Sequence, residues 1–230
     1  MADHHEARTR RQRIEGEKRV AAEAAAALVQ RGMTVGLGTG TTVAHLLPAL
    51  ADRHLDIMCV GTSPATEFEA RRLGLHVRPF TGIDRLDLAI DGADQVDDSG
   101  WLVKGGGGAH TREKVVAASA TRFVVIVSSD KLVARVHAPI PLELLTFGLD
   151  ATLTRLAATG PVQLRQGTHA SPDGGHIADW HGDVDDPARV AARLAAVPGV
   201  VEHGLFPPAM VADVIVGRGE GVEHRPVAGA

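Results

Sequence analysis

The sequence predicts an α/β protein: a mostly parallel, Rossmann-like sheet with helices on both faces, plus an inserted, smaller α+β domain of ferredoxin-like βαββαβ order. Three observations predict it. Short apolar runs alternate with helical patterns from Met33 to Val127, the rhythm of a parallel sheet covered on both sides. The first of these runs ends in a glycine-rich turn that opens a helix, the arrangement that binds anions. After Val133 the order changes to strand, helix, strand, strand, helix, strand. The composition allows a sizeable core, since 44% of the 230 residues are hydrophobic and 23% are charged.

Several function classes are excluded at this level. A net charge of -4 makes no electrostatic case for nucleic acid or an anionic membrane as partner. Cys59 is the sole cysteine and lies in the apolar run 57–60, so a disulfide framework and a cysteine-rich metal site are both absent, and a buried thiol is expected. No apolar run reaches the length of a membrane span and residues 1–13 lack an apolar signal core, so a cytoplasmic protein is expected.

Along the chain, residues 1–13 read as a disordered polar arm, with His4, His5, Arg8, Arg10, Arg11 and Arg13 and no aromatic residue to stack on a base. The Rossmann-like domain is expected over 14–136 and 208–230. Its first helix is alanine-rich over Ala21–Val29, with Gly32 as a stop. A strand over Met33–Leu37 runs into Gly36-Leu37-Gly38-Thr39-Gly40-Thr41-Thr42 and then a helix marked by Val43, Leu46, Leu47 and Leu50. This turn lacks the Gly-Lys-Ser/Thr of a Walker loop. It also misses the dinucleotide fingerprint, because Thr41 stands where the third glycine belongs and no acid ends the next strand, 56–60. The threonine hydroxyls suit a small phosphomonoester instead.

A helix over 65–73, strands over 75–78, 86–90 and 101–103, a helix over 112–120 and a strand over 123–127 complete the alternation. The loop 36–42, Thr62-Ser63, Asp91 to Asp94 and Ser128 to Lys131 all follow strands, so they are expected on one rim. The ferredoxin-like domain is expected over 137–207, with a turn at Ser171-Pro172-Asp173-Gly174-Gly175. A strand over 211–216 should return to the first sheet.

The strongest chemical signal is Lys104-Gly-Gly-Gly-Gly-Ala-His-Thr-Arg-Glu113, with Asp91-Gly92-Ala93-Asp94 just upstream. Consecutive glycines cost conformational entropy, so a folded chain keeps them where the backbone bends sharply or lies close to a ligand. Glu113 falls in the first turn of a helix, where the dipole and free N–H groups favour a carboxylate anion, as suits a base. Either charge alone reads as surface. The aspartate pair, lysine, glycine nest and glutamate together read as a site.

With Ser-Asp-Lys-Leu-Val (129–133), Arg-Gln-Gly (165–167) and Gly-Leu-Phe (204–206), these motifs resemble type A ribose-5-phosphate isomerase over roughly residues 14–225. The resemblance implies interconversion of D-ribose 5-phosphate and D-ribulose 5-phosphate through an enediolate in the non-oxidative pentose phosphate pathway, with no metal or organic cofactor. It assigns Glu113 as the base that carries a proton between C2 and C1. It assigns Asp91 and Asp94 to sugar hydroxyls and ring opening, and Lys104 to the carbonyl and enediolate oxygens. Thr39, Gly40, Thr41, Thr42 and Lys131 match substrate and phosphate contacts, Lys18 a lysine near the phosphate, and Gly92, Ala93, Gly105, Gly106 and Gly107 the backbone that lines the sugar. It also implies a homodimer or homotetramer. Independently, moving a proton between adjacent carbons needs one base that reaches both and a donor where the oxyanion develops.

Two positions depart from the family pattern: His110 stands where an apolar residue is usual, and Gln95 replaces an acid. His110 is expected to be packed. His76, His137, His169, His176, His181, His203 and His224 are scattered and show no metal-ligand spacing. A non-catalytic sugar-phosphate-sensing domain would share the phosphate loop, but it would have no need of Glu113 and Lys104. An isomerase paralogue for a related sugar phosphate is a further reading. An acyl-CoA transferase-like enzyme is disfavoured by the short chain and the small-phosphate loop.

Overall fold

A computed structural model describes residues 2–166 and 170–227, with side chains from Glu6 onward; Gly167 and His169 lie outside the described residues. The chain divides into two units. The first comprises Met1–Gly92, Val116–Leu132 and Ala209–Ala230, the second Ala93–Val115 and Val133–Pro208.

The first unit is built on a seven-stranded sheet. Strands β1 (Thr34–Leu37), β2 (Met58–Gly61), β3 (His76–Val77), β4 (Leu88–Asp91), β7 (Phe123–Ser128) and β14 (Asp213–Arg218) pair in parallel. β15 (Gly221–Pro226) closes one edge in the antiparallel sense, giving the order β15-β14-β7-β4-β1-β2-β3. Every residue of β4 and β7 is buried, which is why 123–127 reads as a continuous apolar run rather than an alternating one. Helices α1 (Ala2–Ala27), α2 (Val43–Ala51) and α3 (Pro64–Arg72) belong to this unit. Ala21, Ala22, Ala25 and Ala26 of α1 join Leu46, Leu50, Ile90 and Ile126 in one core cluster.

Where a disordered arm is expected over 1–13, the described residues from Ala2 onward form the start of α1. Once the alanine face of α1 is docked, each further residue adds a hydrogen bond without a new nucleation cost, so the helix runs back through a segment free of glycine and proline. The Arg13–Glu17 ion pair at 3.2 Å supports the junction.

The second unit contains a four-stranded antiparallel sheet in the order β10-β11-β9-β12. Its elements follow the βαββαβ order: β9 (Ile140–Leu144), α5 (Leu149–Ala157), β10 (Val162–Leu164), β11 (His176–Trp180), α6 (Pro187–Ala195) and β12 (Val200–His203). Leu142, Leu144, Leu156, Trp180 and Leu194 form its core. Trp180 buries its indole with Nε1 donating to Thr159 Oγ1 at 3.1 Å. A smaller sheet carries β5 (Gln95–Asp97), β6 (Leu102–Val103) and β13 (Leu205–Phe206), with β8 (Leu132–Val133) at its edge.

Two expectations change here. The strand at 101–103 does not join the parallel sheet: β6 pairs antiparallel with β5 and β13. The cause is a tight Asx turn, in which Asp97 Oδ1 accepts from Ser99 N, Ser99 Oγ and Trp101 N, whereas a parallel crossover needs about a dozen residues or more. Residues 93–115 therefore fall with the second unit, which is larger than the expected 137–207.

Candidate active site

In the first unit, the carboxyl ends of the parallel strands carry the loop that follows β1. Gly38 N donates to Ile90 O at 3.0 Å, which bends the chain across β4. Asp91, buried at the end of β4, accepts at Oδ1 from Thr39 N at 3.1 Å and Gly92 N at 2.7 Å. A Cβ on Gly38 would overlap the Asp91 carboxylate, so only glycine allows this approach. Thr39 Oγ1 lies 2.8 Å from Thr62 Oγ1 and 3.2 Å from Thr66 Oγ1, and Thr66 Oγ1 donates to Gly38 O at 2.9 Å, so the loop is braced by the turn after β2. Gly40 and Thr41 are exposed. Thr42 is half-buried at the N-cap of α2 and makes no side-chain cap bond.

Lys18 lies on α1. Its Nζ donates to Glu15 Oε1 at 2.8 Å, and Glu15 Oε2 lies 3.1 Å from His45 Nε2 on α2. Hydrogen bonds from Lys18 and His45 hold the Glu15 carboxyl below its usual range. Glu17, a residue the sequence reading passed over, accepts from Ser129 N at 3.0 Å, Ser129 Oγ at 2.7 Å and Gly219 N at 3.4 Å. It thus ties the 3-10 turn Ser129–Lys131, which carries Lys131, to the turn after β14. Lys131 Nζ itself lies 3.9 Å from Asp130.

In the second unit, Lys104 follows β6, and Glu113 sits in the first turn of α4 (His110–Ser119). The Lys104 Nζ is 3.1 Å from Glu113 Oε2, with side chains only 3% and 6% exposed. Gly105 takes φ +111, and a Cβ there would stand 2.7 Å from His110 Nδ1 and 2.8 Å from Pro141 Cβ, so the nest folds onto its own helix start. Gly106 N donates to the exposed Asp94 Oδ2 at 2.8 Å. Arg165 caps the same loop, donating to Gly105 O at 3.0 Å and Gly106 O at 2.9 Å while paired with both oxygens of Asp179 at 2.7 Å.

The first turn of α4 is fastened residue by residue. Thr111 Oγ1 donates to buried Glu143, which also accepts from Ser171 Oγ. Arg112 pairs with Asp173 through Nε and Nη2 and donates to Pro172 O at 3.2 Å. Lys114 Nζ donates to Glu202 Oε1 at 2.7 Å and His203 O at 2.6 Å. Burial pulls the Lys114 ammonium down against the pull of Glu202. Burial pushes Glu202 up, yet the Lys114 charge and hydrogen bond leave it below its usual range. Burial and the Lys114 charge lower His203 to about 4. These anchors were in plain sight as Thr-Arg-Glu-Lys, but their partners lie far along the chain.

His110 is packed, with no exposed surface. Its Nε2 lies 3.3 Å from Glu202 O, and burial lowers it to about 4. Gln95 has a physical reason to replace an acid: its Oε1 accepts from His137 N at 2.8 Å while its Nε2 donates to His137 O at 2.9 Å, a pairing a carboxylate could not complete. Cys59 is buried, and that burial pushes its thiol up to about 12. Among the described residues no group of three or more His, Cys, Asp and Glu could hold a metal ion, and no helix is long and apolar enough to cross a membrane.

The structure thus brings Lys104, Glu113, Asp94 and the Gly105–Gly107 backbone together in one unit. It gathers Asp91, Gly92 and the Thr39–Thr42 loop on the rim of the other, with Lys18 on α1 in the same unit. Chemically, the first set pairs a shielded carboxylate with an ammonium, and the second offers N–H and hydroxyl donors at a helix start.

The family model for ribose 5-phosphate isomerase A (phosphoriboisomerase A) matches residues 58–221. That for the DeoR C terminal sensor domain matches only residues 14–77, which include the Gly36–Thr42 loop but neither Lys104 nor Glu113. The chain is 45% identical to ribose-5-phosphate isomerase A of Rhodopseudomonas palustris (strain HaA2), over 82% of this chain and 88% of that one. It is also 45% identical to that of Roseiflexus castenholzii, over 82% and 86%. Among solved structures, ribose 5-phosphate isomerase A from Neisseria gonorrhoeae superposes with a TM-score of 0.87 at 32% identity, covering 92% of this chain and 96% of that one. A D-ribose-5-phosphate isomerase in complex with phospho-erythronic acid gives 0.87 at 32%, covering 93% and 99%.

Proposed function

Since the chain belongs to the ribose 5-phosphate isomerase A family and interconverts D-ribose 5-phosphate and D-ribulose 5-phosphate, we propose that Glu113 is its proton-transferring base and Lys104 the partner of the developing oxyanion. The observation that carries this is the buried Lys104–Glu113 contact at 3.1 Å beside the glycine nest.

In the open-chain aldose, Glu113 removes the proton from C2 as the C1–C2 double bond of the enediolate forms. Charge collects on O1 next to the Lys104 ammonium and the Gly105–Gly107 N–H groups. The same carboxyl then returns the proton to C1 while the hydroxyl proton passes from O2 to O1, giving the ketose. One base serves both carbons, so no second acid is needed.

Asp91 and Asp94, with the backbone of Gly92 and Ala93, engage the sugar hydroxyls and assist ring opening. Thr39, Gly40, Thr41 and Thr42 at the start of α2, with Lys18 and Lys131, hold the phosphate. The sensor reading is not favoured, since its match stops well before the charge pair. The family reading also carries a homodimer or homotetramer and a cytoplasmic location, which sedimentation and cell fractionation measure directly.

The test is ketopentose formation from D-ribose 5-phosphate, followed spectrophotometrically, in the wild type and Glu113→Gln. The amide keeps the shape but cannot take a proton, so turnover should fall by about 10²–10⁴-fold, the usual worth of a positioned base. Phospho-erythronic acid, whose carboxylate resembles the enediolate, should still bind. Near wild-type turnover in Glu113→Gln would remove the assignment.

A further inference from the structure

Phe206, fully buried in β13, lies under two cations: the Lys104 Nζ is 5.5 Å from its ring centroid and the Lys114 Nζ 4.8 Å. We propose that Phe206 is a positioning residue for the isomerisation, holding the Lys104 ammonium charged and aimed at the reacting oxygens through its π face. The proposal rests on the Lys104 reading above.

The reaction itself makes such a support necessary. Lys104 has its side chain 3% exposed, so water does little to stabilise its charge. Glu113 supplies an anion at 3.1 Å in the resting enzyme, but it becomes neutral when it takes the C2 proton. As it does so, the lysine must stay protonated to meet the charge that collects on the enediolate oxygen. An aromatic face attracts a cation electrostatically and holds no proton of its own to exchange, so its pull does not change through the cycle. A carboxylate in its place would compete with the enediolate for the ammonium.

The ring is held to this task by its surroundings. β13 pairs with β6, which sets Phe206 opposite Leu102, two residues before Lys104. Lys114, the second cation on the ring, is locked by Glu202 Oε1 at 2.7 Å and His203 O at 2.6 Å, with His203 Nδ1 at 3.3 Å. Its charge is therefore matched by Glu202 rather than left to repel Lys104. The other charged groups around Lys104 act through the neighbouring backbone: Arg165, paired with Asp179, donates to Gly105 O, and Asp94 accepts from Gly106 N. His110, adjoining Gly105, is lowered to about 4 and so is neutral across the working range.

The experiment is the pH profile of kcat/KM in the full-length protein with mono-, di- and trifluorinated phenylalanine at position 206, beside Phe206→Leu. Fluorination keeps the packing while draining the ring face of electron density. With Lys104 as the group that must stay protonated, the alkaline limb should move stepwise to lower pH with each fluorine. It should reach a shift of about one pH unit in the trifluorinated protein and in Phe206→Leu, with the acid limb fixed. A purely structural Phe206 would lower Tm in the leucine variant and leave the limb in place. An alkaline limb at constant pH across the fluorinated series overturns the proposal, and because that series is nearly isosteric it decides even if Phe206→Leu does not fold. Lys104→Met separates the two readings. If it retains turnover, the role of Lys104 and this proposal both fall. If it loses turnover while the limb ignores fluorination, only the role of Phe206 falls.

Discussion

The Gly38–Thr42 loop and the Lys104–Glu113 pair deal with charge in opposite ways. The loop presents backbone N–H groups and hydroxyls at a helix start, with Gly40 and Thr41 open to solvent. The pair consists of two ionisable side chains almost wholly removed from water, 3.1 Å apart, and fastened by neighbours on either side of Glu113. Donors that belong to the main chain survive most substitutions, so the loop is suited to binding a charge that never changes, that of a phosphate. Ionised side chains are lost with a single substitution, but they can respond to charge that appears during a reaction. The two regions should therefore fail differently when perturbed, one in affinity and the other in turnover.

The sharpest break of that contrast is Lys104→Met. If the ammonium faces the oxygen where enediolate charge grows, it stabilises the transition state more than the bound sugar, and turnover should fall by about 10²–10³-fold with little change in affinity. Removing one partner of a buried ion pair strands the other, so the variant is also expected to melt earlier. Lys104→Met combined with Glu113→Gln should recover part of that loss, because no buried charge is then left alone. Thermal melts of both variants beside single-turnover rates read the two effects separately. Turnover within about threefold of wild type, under 1 kcal/mol, would show that the lysine is not the oxyanion partner and would shift that role to the glycine N–H groups.

A second contrast concerns acid. His110, beside the charge pair, is buried neutral with its ionisation lowered from 6.5 to about 4. The unfolded chain takes up the proton first, so the stability that depends on a neutral His110 is fully present above about pH 6.5. It falls as the pH drops toward 4 and levels off below, by about 3 kcal/mol at most. His203 is shifted in the same direction, through burial and the Lys114 charge. Urea melts between pH 7 and pH 4.5 should show the second unit losing protection in amide exchange before the first. His110→Leu should flatten part of that slope. An unchanged slope would mean that the histidine is solvated after all.

Much of this was legible in the sequence because the signals were local. The glycine-threonine turn, the alternation of apolar runs and the approach of a base and a lysine around a glycine nest all lie within windows that periodicity and turn chemistry can read. What was not legible depended on distant partners. Nothing near Thr111 announces that its hydroxyl ends on Glu143, nor near Glu17 that its carboxylate binds the turns after β7 and β14. The polar residues 2–13 carry no pattern of their own and become helical because the alanine face downstream is docked. The hairpin of β5 and β6 was readable in principle from Asp97-Asp98-Ser99-Gly100, a turn sequence between short runs. The surrounding alternation of strands and helices favours a parallel strand there and masks it.

The mildest perturbation tests the other side of the comparison. Thr42 occupies the N-cap of α2 with helical angles, φ -73 and ψ -40, and its hydroxyl makes no cap bond, so Thr42→Val should not loosen the helix start. Valine keeps the branched shape and removes only the hydroxyl. Thr39 could not serve here, because its hydroxyl is already engaged with Thr62 and Thr66, and valine there would disturb the brace as well as the ligand. If Thr42 donates to the phosphate, its loss removes a hydrogen bond to a charged group, of roughly 1.5 kcal/mol or a little more. KM for D-ribose 5-phosphate should then rise about tenfold while kcat stays within about threefold, since the phosphate carries the same charge in ground and transition states. Inorganic phosphate, as a competitive inhibitor, should weaken in parallel. A KM that stays put while kcat collapses would place Thr42 in the chemical step and erase the division between a loop that binds and a pair that reacts.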